Sequence, residues 1–106
     1  MKEYYLIIRH GYEGIQEIVY PTDNKDDVIL KFNSILENIK IAREKYGNYE
    51  SEDLIDMLLK KEITNKDIDY AKHNNPEDYC IYKWNGEKFG CACEELNVQK
   101  NVNKLY

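Results

Sequence analysis

The sequence has no cluster of lysine or arginine, and its only two arginines, Arg9 and Arg43, are far apart. Gripping a nucleic-acid backbone takes grouped cations that displace counterions, so direct binding to DNA or RNA phosphates is not expected. No apolar stretch approaches the ~20 residues needed to cross a bilayer. The opening Met1-Lys2-Glu3-Tyr4-Tyr5 carries neither the apolar core nor the cleavage site of a secretory leader. With three cysteines, an odd number, and no secretory context, the expectation is reduced thiols in the cytoplasm of a bacterial host, with no membrane contact. There is no glycine-rich phosphate loop. The two serines, Ser34 and Ser51, read as a mid-helix residue and a helix cap, so no hydroxyl nucleophile has a base beside it.

What is present describes an ordered globular domain. The chain has 106 residues, 42% of them hydrophobic and 33% charged, enough apolar content for one core and too little length for two. We read residues 1–98 as a single domain and 99–106 as a frayed tail in which Val102 and Leu105 dock weakly. Ten tyrosines stand against two phenylalanines and one tryptophan. A tyrosine buries its ring while keeping its hydroxyl wet, which suits half-buried sheet faces and interfaces. The net charge of −5 permits docking on a basic partner.

The order of elements follows from periodicity. Residues 3–9 and 15–20 are rich in β-branched and aromatic side chains and read as two strands joined by the loop His10-Gly11-Tyr12-Glu13-Gly14, with Pro21 ending the second. Asp23 or Asn24 caps a helix over about 24–46, whose apolar stripe is Val28, Phe32, Ile35, Leu36, Ile39, Ala42 and Tyr46, with Gly47 as its stop. Leu30 and Ile41 lie on its opposite side, either as scattered exposed residues or because the helix is touched on both sides, by the shorter helices wrapping behind it, by a partner or by a second copy. A second helix starts at Ser51 with Leu54, Ile55, Leu58 and Leu59 inward. A third follows the Thr64/Asp67 capping box and ends near His73, before Asn74-Asn75-Pro76. The tandem short helices are not a DNA reader, because Asp67 and Asp69 on the second would repel phosphate.

Asp78–Trp84 and Glu87–Cys93 flank Asn85-Gly86, which predicts a hairpin on a two-residue type I′ turn. That turn sets Trp84 opposite Glu87, Tyr82 opposite Phe89, Cys80 opposite Cys91 and Asp78 opposite Cys93. Cys80, Tyr82, Trp84, Phe89, Cys91 and Cys93 then share one face, which we take as the core face. The fold class is α+β: two hairpins form one antiparallel sheet in a β-β-α-α-α-β-β chain, packed on the long amphipathic helix, and no polar cavity is expected.

Candidate chemistry is sparse. Arg9-His10-Gly11 resembles the strand-end signature of histidine phosphatases, in which the His is the nucleophile and the Arg binds phosphate. That family needs a second catalytic His, further arginines and a larger α/β domain, and here the chain returns as a strand. Arg9, His10, Tyr12 and Glu13 still bring a cation, an imidazole, a ring and a carboxylate to one loop. Cys80, Cys91 and Cys93 read as small buried hydrophobes. Cys91-Ala92-Cys93 is a poor strand chelate, so neither a metal nor another cofactor is expected. Acid pairs such as Asp53/Asp56 and Asp67/Asp69 lie on helices taken to face solvent, where carboxylates stay ionised.

In its short length, its Lys/Asn/Ile/Tyr richness, its mild acidity and its Tyr82–Phe89 hairpin, the chain resembles small accessory proteins of phages and mobile elements of low-GC bacteria. The resemblance implies an inhibitor of host defence, of the anti-CRISPR or the nucleotide-sequestering kind. The expectation is a non-catalytic protein that binds a host protein stoichiometrically, with Tyr12, Glu13, Leu30 and Ile41 as contacts. The alternative is a sponge for a small nucleotide signal held by Arg9, His10 and tyrosines, including across a homodimer interface. A third, weaker reading is a small phosphoester enzyme.

Overall fold

β-Branched and aromatic residues at the start of the chain form β1 (Tyr5–His10), which pairs antiparallel with β2 (Gln16–Thr22) in a computed structural model that describes residues 3–98. Three helices follow, α1 (Lys25–Tyr46), α2 (Ser51–Leu59) and α3 (Asn65–Lys72), and the chain closes with β3 (Tyr79–Trp84) and the short β4 (Phe89–Cys91). The two hairpins join through β1 and β3 into a four-stranded antiparallel sheet of order β2-β1-β3-β4, so the α+β class and element order expected from sequence hold. The tail 99–106, with Val102 and Leu105, lies outside the described residues.

Pro21 does not end β2, which runs on to Thr22. As an edge strand it leaves the missing N–H unneeded. Ile7 faces Tyr20 while Ile8 faces Ile18, so Val19 bulges out of register. The loop between β1 and β2 closes through the Gly11 N–H on the Ile15 carbonyl. It turns on Glu13 (φ 56°) and Gly14 (φ 80°), so the left-handed conformation falls on a glutamate as well as on the glycine suited to it.

Direct pairing puts Tyr5, Ile7 and Arg9 on the same side as Lys83, Ile81 and Tyr79. This is the side α1 covers: the Tyr20 hydroxyl, level with Ile7, donates to Asp27 of α1 at 2.8 Å. Val28, Phe32, Ile35, Leu36 and Ile39 pack there against Tyr5, Ile7, Tyr79 and Ile81. Fully burying a side chain such as Phe32 is worth roughly 1.5–3 kcal/mol. Asn24 caps α1 by accepting the Asp27 N–H. Gly47 at its end is right-handed (φ −60°), and what it supplies is room: a Cβ there would lie 2.5 Å from the Arg43 carbonyl oxygen.

The core face is therefore the reverse of the expected one. Tyr79, Ile81 and Ala92 face the helix, while Tyr82, Trp84, Phe89 and Cys91 lie on the other side with Cys80; of the residues expected on the core face, Cys80 and Cys93 are buried. Both faces of β3 are apolar, so alternation could not choose between them. The hairpin register also differs. Trp84 pairs with Phe89 and Tyr82 with Cys91, leaving a loop over 85–88. Asn85 accepts the N–H groups of Glu87 and Lys88 on its Oδ1, at 2.9 and 3.0 Å, and this side-chain turn replaces the two-residue turn. The slip is an even number of residues, so the side chains predicted to share a face still do.

α2 also departs from expectation. Glu50 takes the N-cap position with no side-chain bond, so Ser51 is not a cap. Of Leu54, Ile55, Leu58 and Leu59, only Leu54 is buried, while Leu59 is 76% exposed. The helix ends on Lys61 at φ 62°, with the Glu62 N–H on the Met57 carbonyl and the Lys61 N–H on the Leu58 carbonyl, a Schellman motif without its glycine. α3 has the Thr64/Asp67 capping box read from sequence.

Candidate functional site

Three places gather side chains able to do chemistry or make contacts. The first is at the end of β1. Arg9 donates to the His73 carbonyl at 3.0 Å and stands 4.0 Å from the Asp69 carboxylate. Arg43 donates to the Asn74 carbonyl and to Asn75 Oδ1. The chain's two arginines thus hold one turn, 73–75, against the sheet. Between them Asn74, 1% exposed, gives its Nδ2 protons to the Asp69 carbonyl and carboxylate and accepts the Tyr79 hydroxyl. Burial pushes the Tyr79 phenol up to about 12. Asp67 and Asp69 are half-exposed, and their carboxylates are engaged, Asp67 in the α3 cap and Asp69 with Asn74.

Drawing α3 against β1 leaves an open cavity of about 590 Å³ lined by Arg9, His10, Gly11, Lys72, His73, Asn75 and Asp78. The sequence reading expected no polar cavity; it forms because both arginines bring the 73–75 turn to the strand end. The cavity holds two imidazoles and two cations, but those cations are engaged. Arg9 is bound as described, and the Lys72 ammonium donates to the Gly47 carbonyl at 2.8 Å. Asp78 adds an opposing charge. His10 lies between Gln16 Nε2 (3.5 Å) and the Tyr82 hydroxyl (3.1 Å). Of the other loop residues proposed from sequence, Glu13 is exposed and unconnected to the cavity lining. The Tyr12 side chain lies outside the described part of the structure.

The second place is the outward side of α1. Leu30 is 72% exposed, and Ile41 lines a small groove against Thr64, Lys66, Asp67 and Tyr70. The structure does not bring Leu30 together with the β1–β2 loop, so the six residues singled out from sequence do not form one site.

The third place, missed from sequence, is the outer face of the sheet. Antiparallel sheets with one covered face normally show polar residues on the other. Here that face carries Ile18 and Pro21 from β2, Leu6 and Ile8 from β1, Tyr82 and Trp84 from β3, and Phe89 from β4. Ile18 is 61% exposed and Phe89 is exposed, with the Trp84 and Phe89 rings 5.1 Å apart. Tyr-Cys-Ile-Tyr-Lys-Trp over 79–84 was the available signal: a strand apolar on both sides has two surfaces to cover.

At one margin of this face Cys80 Sγ lies 2.8 Å from Cys91 Sγ and 3.4 Å from Cys93 Sγ. None of the three is in a disulfide among the described residues. The Cys80 thiol is pushed up by its bond to Cys93, by burial and by its bond to Cys91. Burial and then the neighbouring thiols push the Tyr82 phenol up in the same direction. No helix among the described residues is long and apolar enough to cross a membrane. Compared with known proteins, the chain matches no family model, no curated protein and no solved structure.

Proposed function

We propose that this chain is a non-catalytic protein that binds another protein stoichiometrically through the outer face of its sheet. The observation behind the reading is the row Ile18, Tyr82, Trp84 and Phe89, exposed or half-buried around a buried Ile8, on the side of the sheet away from α1. Aromatic residues at the centre of such a patch are the usual carriers of binding energy. The occupant we favour is a different protein with a basic rim, because two copies that each carry a charge of −5 repel one another. Within the resemblance to phage and mobile-element accessory proteins, that partner is a host defence factor. The contacts proposed from sequence, Glu13, Leu30 and Ile41, are then secondary to the sheet face.

The test uses the tagged full chain in cells of its native host, then the captured protein purified and recombined with it. Ile18→Glu and Phe89→Glu should each abolish a complex of fixed stoichiometry while Leu30→Glu leaves it intact. The reverse pattern moves the site to α1. A homodimer that disappears in the Phe89 variant refutes the hetero-partner reading.

A second reading rests on the 590 Å³ cavity, a volume in the range of small-molecule sites. It would hold a small nucleotide signal between His10, His73 and Lys72. Arg9→Ala is a poor test, since Arg9 anchors the 73–75 turn. His10→Ala is the better one: a thermal shift with a cyclic nucleotide or ADP-ribose that His10→Ala abolishes supports this reading, and no shift with any of them removes it.

A further inference from the structure

We propose that Cys80, Cys91 and Cys93 form a binding site for a thiophilic d10 metal cation, Zn(II) or Cu(I), held by three thiolates where β3 meets β4. The inference is independent of the docking reading above.

Its basis is the placement of the sulfurs. The three Sγ atoms all lie within 4.8 Å of one another, with two of the separations 2.8 and 3.4 Å. Two donors on one ion can be at most about 4.6 Å apart, twice the ~2.3 Å Zn–S bond, so small side-chain rotations gather this set around an ion. Cys91-Ala92-Cys93 would be a poor chelate on a continuous strand. Here the strand ends at Cys91, and the chain turns with the Leu96 N–H on the Ala92 carbonyl. Ala92 stays in register through its N–H on the Ile81 carbonyl at 2.8 Å. Cys93 is thereby set beside Cys80.

One backbone donor is already aimed at a sulfur. The Ile81 N–H donates to Cys93 Sγ at 3.2 Å. Backbone donors of this kind orient a thiolate ligand and stabilise its charge. Cys80 and Cys93 are buried and Cys91 is exposed, which gives the ion a way in on one side only. Soft sulfur donors select Zn(II) and Cu(I) over Mg(II) or Ca(II). Binding converts three thiols to three thiolates and releases three protons to solvent. With Zn(II) the site carries one net negative charge and a fourth position open to water. With Cu(I) it is trigonal with two. Nothing is oxidised or reduced. The ion would fasten β4, a strand of three residues, to β3 and to the turn beyond it.

The experiment takes the reduced full chain, with its three thiols verified by counting, and titrates it with Co(II) followed by Zn(II), and separately with Cu(I) against a competing chelator. The expected result is one ion per chain in at least one arm. The Co(II) form should show thiolate charge-transfer absorption that Zn(II) displaces, and the bound ion should raise Tm and protect all three thiols from alkylation. Cys91→Ser, at an exposed position, should weaken binding by at least about tenfold, the scale on which even outer-shell losses act. Affinity should fall steeply from about pH 8 to about pH 6, because protons compete for the sulfurs. No stoichiometric binding of either ion by a fully reduced chain overturns the proposal, as does a Cys91→Ser protein that binds like the parent. Should that variant fail to fold, alkylation of the parent decides: thiols that react equally with and without the ion refute the site.

Discussion

Asn74→Ala tests the account of how the 73–75 turn is held. Three hydrogen bonds disappear, but their losses are unequal. The Asp69 carbonyl still receives the His73 N–H at 2.8 Å, and the Asp69 carboxylate is reached by solvent and by Arg9. The Tyr79 hydroxyl, which donates to Asn74 Oδ1 inside the core, has no replacement. Leaving one buried hydroxyl unpaired costs about 1–3 kcal/mol. Adding the packing lost with the side chain, we expect about 2–4 kcal/mol, a large share of the ~5–15 kcal/mol typical of a domain. Urea unfolding followed by circular dichroism should show the midpoint falling by about 1–2 M with unchanged slope. Tyr79→Phe alone should cost less, and the double variant less than the sum, with a coupling near 1 kcal/mol. A loss under about 1 kcal/mol for Asn74→Ala, or strict additivity in the double variant, would refute the argument.

Other outcomes follow from the same geometry. Lys61→Gly should stabilise the chain by about 1 kcal/mol in thermal or urea unfolding, because it relieves the left-handed backbone of the α2 Schellman motif. Gly47→Ala should destabilise it, since the new Cβ meets the Arg43 carbonyl; an unchanged Tm would contradict this. The Tyr5 phenol, raised to about 12 by burial and by its bond to Glu3, and the Tyr79 phenol, raised to about 12 by burial, keep their protons longer in the folded state than in the unfolded. Their contribution is complete below about pH 10, the unfolded value, and is lost as pH rises from about 10 to about 12, so urea midpoints should drop across that window, steepening a decline that the raised Cys80 thiol begins near the unfolded thiol value of about 8.5. Ile18→Glu and Phe89→Glu, on the outer face, should leave Tm close to the parent's while removing the partner.

Much of this fold is legible in the residues. The stripe Val28–Phe32–Ile35–Leu36–Ile39–Ala42 is buried as its 3.6-residue period requires, and Asn24 and Thr64 cap where their side chains reach a free N–H. Which sheet face would be core was not legible, because β3 is apolar on both sides and the choice depends on where α1 docks. The hairpin register turned on whether the Asn85 side chain or its backbone would make the turn, which a dipeptide pattern does not decide. For α2, periodicity marked a face but not whether anything lay opposite it. The candidate loop residues Arg9 and His10 were conspicuous by type. Their bonds to His73 and Tyr82 depend on contacts distant in sequence, whereas the three cysteines were legible as neighbours on one face of the hairpin.

Because each guanidinium reaches a backbone carbonyl of the same turn through Nη2, a lysine at position 9 or 43 would keep the charge but not the planar, rigid head that sets the bond. A dicarbonyl reagent that attacks guanidinium groups would then act on this chain as a probe of unfolding. Its rate should track how often the turn between α3 and β3 lets go of the sheet.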